Sequence, residues 1–262
     1  MTSSTDAAKL SISGLNMAFG DAKVLHNITI DIPARRKTVL IGPAASGKTV
    51  LMKCVAGIHE PTRGAIRLDG KPITGISPRD RNDLLADTGV LFQQGGLFDS
   101  LTVWENISFR PINHDGMNRK EARELAIDKL ARVNLPASTA DLLPSELSGG
   151  MQKRVGIARV LASQPSLMLL DEPTAGLDPI TTKAIYRLLD RSIEDSHATV
   201  FAITSDMDAA RSEYDYMFML HEGAIVWRGA VADIDRSGNP YVLQLINGQA
   251  DGPIKMRMKA RA

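Results

Sequence analysis

The chain has 262 residues, and its 31 Lys and Arg residues nearly balance its 30 Asp and Glu residues, for a formal net charge of +1. This balance excludes the broad basic field by which many proteins attract nucleic acid, so we expect no nucleic-acid partner. Cys54 is the only cysteine, which excludes an intrachain disulfide and fits a reducing compartment.

The N-terminal stretch and the hydropathy pattern bear on location. Residues 1–10 (MTSSTDAAKL) lack the apolar core of a signal peptide. No apolar run approaches the ~20 residues that a membrane-spanning helix needs. We therefore expect a cytoplasmic chain that contacts a membrane only through a partner, with Cys54 as a buried packing thiol.

A phosphate-binding pattern follows the first predicted strands, which cover residues 10–17, 24–32 and 38–41. The pattern is G-x-x-x-x-G-K-[ST], and it opens a helix predicted over residues 48–56. In this context the backbone N–H groups cradle phosphates, Lys48 meets the terminal phosphates and the Thr49 hydroxyl holds Mg²⁺. The residues of the pattern are Gly42, Pro43, Ala44, Ala45, Ser46, Gly47, Lys48 and Thr49.

The middle of the chain predicts a small antiparallel lobe followed by a mainly helical region. The elements in order are a hairpin of residues 65–68 and 71–73 across Asp69 and Gly70, a charged helix over residues 77–87, an apolar strand over residues 89–92 that ends at Gln93, and a helical insertion over residues 99–146 that contains an amphipathic helix over residues 119–133.

A second motif, LSGGMQ at residues 147–152, predicts a loop that opens a helix. Ser148 can cap this helix, and the two glycines after it let a phosphate approach the backbone N–H groups. A continuous apolar strand over residues 166–170 then delivers Asp171 and Glu172 at its carboxyl end, where open α/β sheets bind ligands. The last predicted elements are a turn over residues 175–178, a buried strand over residues 199–204, and a hairpin of residues 217–220 and 224–227.

The phosphate loop and the LSGGMQ motif together resemble the ATP-binding subunit of an ABC transporter, and the resemblance covers nearly the whole chain. It implies an α/β fold: a P-loop NTPase ABC cassette with a RecA-like core, a small antiparallel β lobe and a helical insertion. The cassette would cover residues 10–242, with a helical subdomain at about 99–155, and residues 243–262 would form a C-terminal tail.

The resemblance also implies ATP and Mg²⁺ as cofactors and assigns roles near them. Asp171 would hold Mg²⁺ through water, and Glu172 would polarise the attacking water. Gln93 matches the glutamine that reaches Mg²⁺ and this water, although the neighbouring Gln94 is an alternative. Phe19 occupies the place of the aromatic that stacks on adenine, with a core or turn aromatic as the alternative.

Further residues would act between two copies of the chain in a head-to-tail dimer that sandwiches the nucleotide. The LSGGMQ loop of one copy would contact ATP held by the other copy, through Ser148, Gly149, Gly150 and Gln152. Asp178 would link the two sites.

Two positions depart from the family pattern. Ala45 stands where most such loops have glycine, which is harmless if its φ is negative. Ser205 stands where the family usually has a histidine that touches the γ-phosphate. Loss of one transition-state donor can cost on the order of 10²–10³ in rate, so the sequence supports ATP binding more firmly than fast hydrolysis.

Within the family the chain is most similar to the ATPase of the Mla (MCE-type) lipid-transport system. This likeness implies an MlaE-type permease, an MCE-domain protein and in some systems a STAS-domain protein as partners. It also implies phospholipid or a related lipid as cargo and a peripheral position on the cytoplasmic face of the bacterial inner membrane. The segments that carry it are residues 89–107, 143–151, 178–182 and 247–254.

Three alternatives compete with this interpretation. The first is the ATPase of an importer for polar solutes such as amino acids. The second is a soluble ABC ATPase of translation or DNA repair, which a single cassette with a short insertion and one cysteine disfavours. The third is a non-hydrolysing regulatory cassette, which Ser205 suggests and Glu172 opposes.

Two surface segments carry apolar residues. Residues 95–104 follow Gln93, and we expect part of this segment to contact the permease, with packing inside the helical lobe as the alternative. Residues 241–254 need apolar cover, and Asp251-Gly252-Pro253 would break a helix. We therefore expect an extended arm that docks across the partner cassette, with a solvated basic end at residues 255–262.

Overall fold

The computed structural model describes residues 8–93 and 95–255, and its strands form one sheet of six strands and one of four. The strands in chain order are β1 (Ala8–Phe19), β2 (Ala22–Pro33), β3 (Lys37–Ile41), β4 (Arg63–Leu68), β5 (Lys71–Pro72), β6 (Thr88–Leu91), β7 (Leu167–Asp171), β8 (Thr199–Ile203), β9 (Tyr216–His221) and β10 (Ala224–Ala230).

The six-stranded sheet has the order β10-β9-β3-β8-β7-β6, and all of its pairings are parallel except that of β9 with β10. Every residue of β3, β7 and β8 is buried. Parallel strands covered on both faces require such continuous apolar runs, which is why the sequence predicted them correctly. The carboxyl ends of these three strands share one edge, where the predicted site residues follow.

The four-stranded sheet has the order β2-β1-β4-β5 and is antiparallel. Asp69 and Gly70 join β4 to β5 with φ values of 48° and 76°. Two consecutive positive φ values are typical of a tight hairpin turn, so the predicted hairpin is confirmed. Apolar residues of β1 and β2 pack together with Leu40, Leu167 and Phe201 of the large sheet in one core cluster.

Helices cover the rest of the large sheet. They are α1 (Lys48–Val55), α2 (Pro78–Leu85), α3 (Val103–Ile107), α4 (Phe109–Asn113), α5 (Arg119–Arg132), α6 (Gly149–Ala162), α7 (Pro179–Ser196), α8 (Met207–Ser212) and α9 (Pro240–Ile246).

The helical lobe is formed by α3, α4 and α5 between β6 and β7, as the insertion predicted. A second core cluster joins this lobe to the large sheet, because it contains Val103 and Leu130 of the lobe, Val155 of α6 and Met168 of β7. The helix α6 therefore packs on both the lobe and the sheet.

Two expectations about single features are met. In the part of the chain described here, no helix is both long enough and apolar enough to cross a bilayer. Cys54 is buried in α1, and burial, followed by the charge of Glu60, raises the pKa of its thiol to about 11. A thiol that stays protonated is a poor nucleophile, so Cys54 is a packing residue.

The C-terminal segment corrects the expected arm. Val242 and Ile246 of α9 are buried against the chain's own core, and Ile254 packs partly on the same cluster. The buried Gln244 amide accepts from the Ile254 N–H at 2.7 Å and donates to the Ile254 carbonyl at 3.0 Å. The expectation of an extended arm is wrong, because these contacts fold the chain back. The expected boundary between residues 242 and 243 falls inside α9.

We predict that Gln244→Ala releases this segment. The substitution leaves the Ile254 N–H and C=O without their partners, so the free energy of unfolding should fall by about 1–2 kcal/mol. Hydrogen exchange at the Ile254 amide should accelerate in the same variant. Gln249→Ala is the matched control, because Gln249 is exposed and the hydrogen bonds given for it use its backbone. Unchanged exchange at Ile254 in the Gln244 variant would contradict the prediction.

Candidate nucleotide site

The phosphate loop, residues 42–49, joins β3 to α1 at the carboxyl edge of the large sheet. Gly42 has a φ of 154°, and a Cβ at this position would lie 2.1 Å from the Leu220 carbonyl oxygen. Only glycine fits there, because the loop passes directly over the end of β9. The loop leads into the first turn of α1, whose free N–H groups and dipole favour an anion.

Ala45 contradicts its sequence-based interpretation. Its φ is 60°, in the left-handed region, whereas we expected a negative value. The loop is closed around it by two backbone hydrogen bonds: Ser46 N–H donates to the Pro43 carbonyl at 3.3 Å, and Gly223 N–H donates to the Ser46 carbonyl at 3.1 Å. A non-glycine residue in this region costs about 1–2 kcal/mol, which the closed loop imposes on Ala45.

Lys48 folds back over its own loop. Its ammonium donates to the carbonyl oxygens of Gly42 at 2.8 Å and Pro43 at 2.9 Å. Burial lowers the pKa of Lys48, while the nearby carboxylates of Glu172 and Asp171 favour its charged form. The cation therefore lies between the loop and the acidic end of β7.

Thr49 and Asp171 meet across the sheet edge, as the sequence predicted for a pair of metal ligands. The Thr49 hydroxyl donates to Asp171 Oδ2 at 3.1 Å. Asp171 is only 2% exposed, and burial raises the pKa of its carboxyl group. Among the described residues no group of three or more His, Cys, Asp or Glu side chains could hold a metal ion. One hydroxyl and one carboxylate fit Mg²⁺, which takes few protein ligands and completes its shell with phosphates and water.

Glu172 begins the turn after β7 with a φ of 53°, which is unusual for a glutamate. Its N–H donates to the Ile203 carbonyl of β8 at 2.9 Å. Its own carbonyl accepts from Lys153 of α6 at 2.9 Å, and Lys153 also donates to the Ala175 carbonyl at 2.7 Å. The turn that carries Glu172 is therefore fixed from both sides.

Sequence reasoning missed Lys153. The signal was its place on the core-facing side of a predicted helix, three to four residues before the apolar Gly156 and Ile157, which are both buried. A lysine on such a face needs specific partners, because an unpaired buried ammonium is costly.

The LSGGMQ segment starts α6 as predicted, and the Ser148 hydroxyl accepts from Met151 N–H at 3.3 Å to cap it. The start of α6 lines a cleft of about 630 Å³. The Gln152 amide donates to the Pro144 carbonyl at 2.8 Å, so it is engaged by its own loop. The residues that line the cleft are Gln93, Gly95, Gly149, Gly150, Gln152, Lys153, Ala175 and Gly176.

The two phosphate-directed motifs of one chain stay apart. Within the described residues no hydrogen bond joins residues 42–49 to residues 148–152. Asp178 follows the cleft, and its exposed carboxylate caps α7 by accepting from the Ile180 and Thr181 N–H groups. Ile180 beside it is 82% exposed.

The remaining predicted residues lie on the surface around this edge. Gln93 is exposed in the cleft, and Gln94 lies outside the described residues. Ser205 is exposed directly after β8, and the neighbouring Asp206 is engaged as the cap of α8. Phe19 ends β1 with 46% of its surface exposed, so it is not a core residue. Its ring contacts His59 edge-on at 5.3 Å.

A comparison with protein families decides the assignment. The family model described as "ABC transporter" matches residues 25–175, which include the phosphate loop, the LSGGMQ segment and Asp171. The chain belongs to the ABC transporter family.

Curated relatives extend this ABC transporter assignment over most of the chain. The "Probable ribonucleotide transport ATP-binding protein mkl" of Mycobacterium leprae is 36% identical over 94% of this chain and 71% of its own length. The "Intermembrane phospholipid transport system ATP-binding protein MlaF" of Haemophilus influenzae is 31% identical over 96% of this chain and 95% of its own length. The "Glutamine transport ATP-binding protein GlnQ" of Escherichia coli is 37% identical over 86% and 89%.

A solved structure confirms the fold of this ABC cassette. The dimeric post-hydrolysis state of the ATP-binding cassette MJ0796, bound to ADP and Pi, is 28% identical, with a TM-score of 0.80 over 85% of this chain and 98% of that chain. The chain is therefore an ATP-binding ATPase subunit of an ABC transporter, with the predicted P-loop fold.

We predict that Ala45→Gly stabilises the protein. Relief of the positive φ, worth about 1–2 kcal/mol, should exceed the added entropy of the unfolded chain, about 0.5–1 kcal/mol. The free energy of unfolding, measured in urea without nucleotide, should therefore rise. Ala44→Gly is the control, because Ala44 is equally exposed and its φ is not positive. It should only lower stability, and equal effects of the two substitutions would contradict the account.

Proposed function

We propose that two copies of this chain hydrolyse ATP between them and thereby drive an MlaE-type permease that moves phospholipid or a related lipid. The observation that carries the first half is the separation of the motifs. Lys48, Thr49, Asp171 and Glu172 meet at one sheet edge, while the LSGGMQ loop of the same chain lines a separate cleft. A second copy would supply the missing loop, and the dimeric form of a similar cassette supports this.

Each half of the site has its own task in the proposal. The loop amides and Lys48 would hold the phosphates, and Phe19 would stack on the adenine from its exposed position. Ser148, Gly149, Gly150 and Gln152 of the other copy would complete the phosphate contacts. Asp178 would connect the two sites through its exposed turn.

The metal would be held by Thr49 and, through water, by Asp171, with Gln93 reaching it from the cleft edge when the copies close. Bound Mg²⁺ would neutralise charge that develops on the transferred phosphoryl group. Its charge would also offset that of the buried Asp171 carboxylate, whose pKa burial raises in the protein alone.

The water-directing groups in the proposal are Glu172, Gln93 and Ser205. Glu172 would polarise the attacking water, because it follows the metal-linked Asp171 without being needed as a ligand. Ser205 is at the end of β8, the strand whose Ile203 carbonyl binds the Glu172 N–H. Its hydroxyl would donate to the γ-phosphate in place of the usual histidine.

We predict that Glu172→Gln traps an ATP-bound dimer. Loss of the carboxylate should lower turnover at least ~10²-fold while ATP affinity is retained. Dimer formation would be measured by light scattering with ATP and Mg²⁺. Glu194→Gln is the matched control, because it removes an exposed glutamate from α7. Lys48→Ala should instead weaken ATP binding. In the same assay Ser205→Ala should lower turnover at constant ATP affinity. Wild-type turnover of Glu172→Gln would overturn the assignment.

The surface proposed for the permease lies next to the Gln93 loop. Phe98 and Phe109 are 43% and 40% exposed, and their rings pack 4.6 Å apart. The Arg159 guanidinium lies 5.9 Å from the centre of the Phe98 ring. Two exposed aromatic rings in contact form an apolar patch of the kind that partner helices cover. A permease seated there would hold the chain on the cytoplasmic face of the bacterial inner membrane.

The lipid cargo rests on likeness and not on contacts of the cassette. The relative named for intermembrane phospholipid transport matches this chain nearly end to end, at 96% and 95% coverage. It supports the MlaE-type permease, the MCE-domain protein and the STAS-domain protein as partners. A polar-solute importer is the second candidate, favoured by the relative named for glutamine transport at 37% identity.

We predict that the membrane complex isolated through a tag on this chain contains a polytopic permease, and that phospholipid stimulates its ATPase activity in detergent. Glutamine should have no effect on this activity. Stimulation by amino acids and not by phospholipid would favour the second candidate.

The docking surface is tested in the same preparation. Phe98→Glu should release the permease and leave the cassette folded, as judged by its unfolding transition. Ile58→Glu is the control, because Ile58 is 54% exposed on the chain segment after α1. Equal loss of the permease in both variants would contradict the proposed surface.

A further inference from the structure

We propose that Lys153 is a positioning residue that couples the LSGGMQ end of α6 to the turn carrying Glu172 in the same chain. This proposal rests on the proposed function of Glu172 and extends it. The geometry that supports it is one ammonium bound to two carbonyl oxygens, those of Glu172 at 2.9 Å and Ala175 at 2.7 Å.

The contact is buried and specific. Lys153 is 9% exposed, so its hydrogen bonds are shielded from competing water. Charge-assisted hydrogen bonds are roughly twice as strong as neutral ones, and two of them fix both ends of the same turn. The turn cannot shift away from α6 without leaving a buried ammonium unpaired, which is costly.

Glu172 is the residue that gains from this fixation. Its φ of 53° is unfavourable for a glutamate and persists only if neighbours hold the backbone. The Ile203 carbonyl accepts its N–H at 2.9 Å, and Lys153 binds its carbonyl. The peptide is thereby held between β8, which ends before Ser205, and α6, which begins after Ser148. A small displacement of the Glu172 carboxylate would misplace the attacking water.

The same helix also holds the Gln93 loop. Arg159 donates to the carbonyl oxygens of Gly96 at 2.7 Å and Gly95 at 3.3 Å. Gly156 permits the close approach, because a Cβ there would lie 2.6 Å from a Leu91 methyl group and 3.3 Å from the Gly95 oxygen. One helix therefore contacts both loops that carry proposed water-directing groups.

The direction of coupling follows from where α6 begins. Its first residues would contact the nucleotide of the other copy, and Lys153 is one turn further along. When the other copy's ATP draws in the LSGGMQ loop, Lys153 would move with α6 and set the Glu172 turn. Each site would thus become active only when its own chain is engaged with the partner's nucleotide.

Arg154 provides a matched control on the same helix. It also donates to a backbone carbonyl, that of Asn134 at 2.9 Å, but this residue belongs to the helical lobe. Its loss should remove a comparable hydrogen bond without touching the Glu172 turn. Arg154→Met and Lys153→Met therefore separate a general packing effect from the proposed coupling.

The experiment compares Lys153→Met, Lys153→Arg and Arg154→Met in the full chain with its permease complex. A misplacement of about 1 Å can cost ~10²-fold in rate, so Lys153→Met should lower kcat by about that factor. The KM for ATP should stay within about twofold, because the phosphate loop is untouched. The Hill coefficient for ATP should fall toward one. Lys153→Arg should restore much of the rate, since arginine can bind both carbonyls.

Several outcomes would overturn the proposal. Equal kcat values for Lys153→Met and Arg154→Met, after both are shown to bind a fluorescent ATP analogue with wild-type affinity, would reduce Lys153 to a packing residue. An unchanged Hill coefficient in Lys153→Met would remove the coupling. If Glu172→Gln also turned over normally, the proposed function itself would have failed, and this result is distinguishable from the other two.

Discussion

The hydrogen bond from Thr49 to Asp171, at 3.1 Å, depends on a strand register that the rest of the site also requires. In the large sheet β8 lies between β3 and β7, and Ile203 is level with Leu40 on one side and with Asp171 on the other. This register brings the phosphate loop, the acidic pair and Ser205 to the same height of one edge. A shift of one residue in β7 would turn Asp171 to the other face of the sheet.

A second constraint acts across the sheet edge through α6. Its start carries Ser148, its second turn holds the Glu172 turn through Lys153, and Arg159 holds the Gln93 loop. The sheet therefore sets where the catalytic groups lie, and α6 sets how they are related to the surface that faces a second copy. The buried contacts of α6 with lobe and sheet make it a rigid connection between these functions.

Sequence reasoning succeeded where local chemistry decides the structure. Continuous apolar runs located β3, β7 and β8, and the phosphate-loop pattern and the Ser148 cap are properties of neighbouring residues. It failed where distant residues decide. The φ of Ala45 is imposed by loop closure that involves Gly223, far along the chain.

Two other failures have the same origin. The partners of Lys153 are backbone carbonyls 19 and 22 residues away, which no side-chain pattern can indicate. The C-terminal segment folds back because Gln244 binds the backbone of Ile254, whereas its apolar residues alone suggested that a partner was needed. The sequence predicts which groups can act, but the tertiary fold decides which backbone each group holds.

The central claim is that a complete site requires two copies, with the turn after Asp178 of each copy at their interface. A spin label at Ile180→Cys tests it most directly, because Ile180 is 82% exposed and the only native cysteine, Cys54, is buried and can be replaced by serine. The label would be introduced into the Glu172→Gln chain, and the distance between labels measured by pulsed electron paramagnetic resonance. The account predicts that ATP with Mg²⁺ produces one short, narrow distance between copies that ADP does not. A distance distribution unchanged by ATP would contradict it.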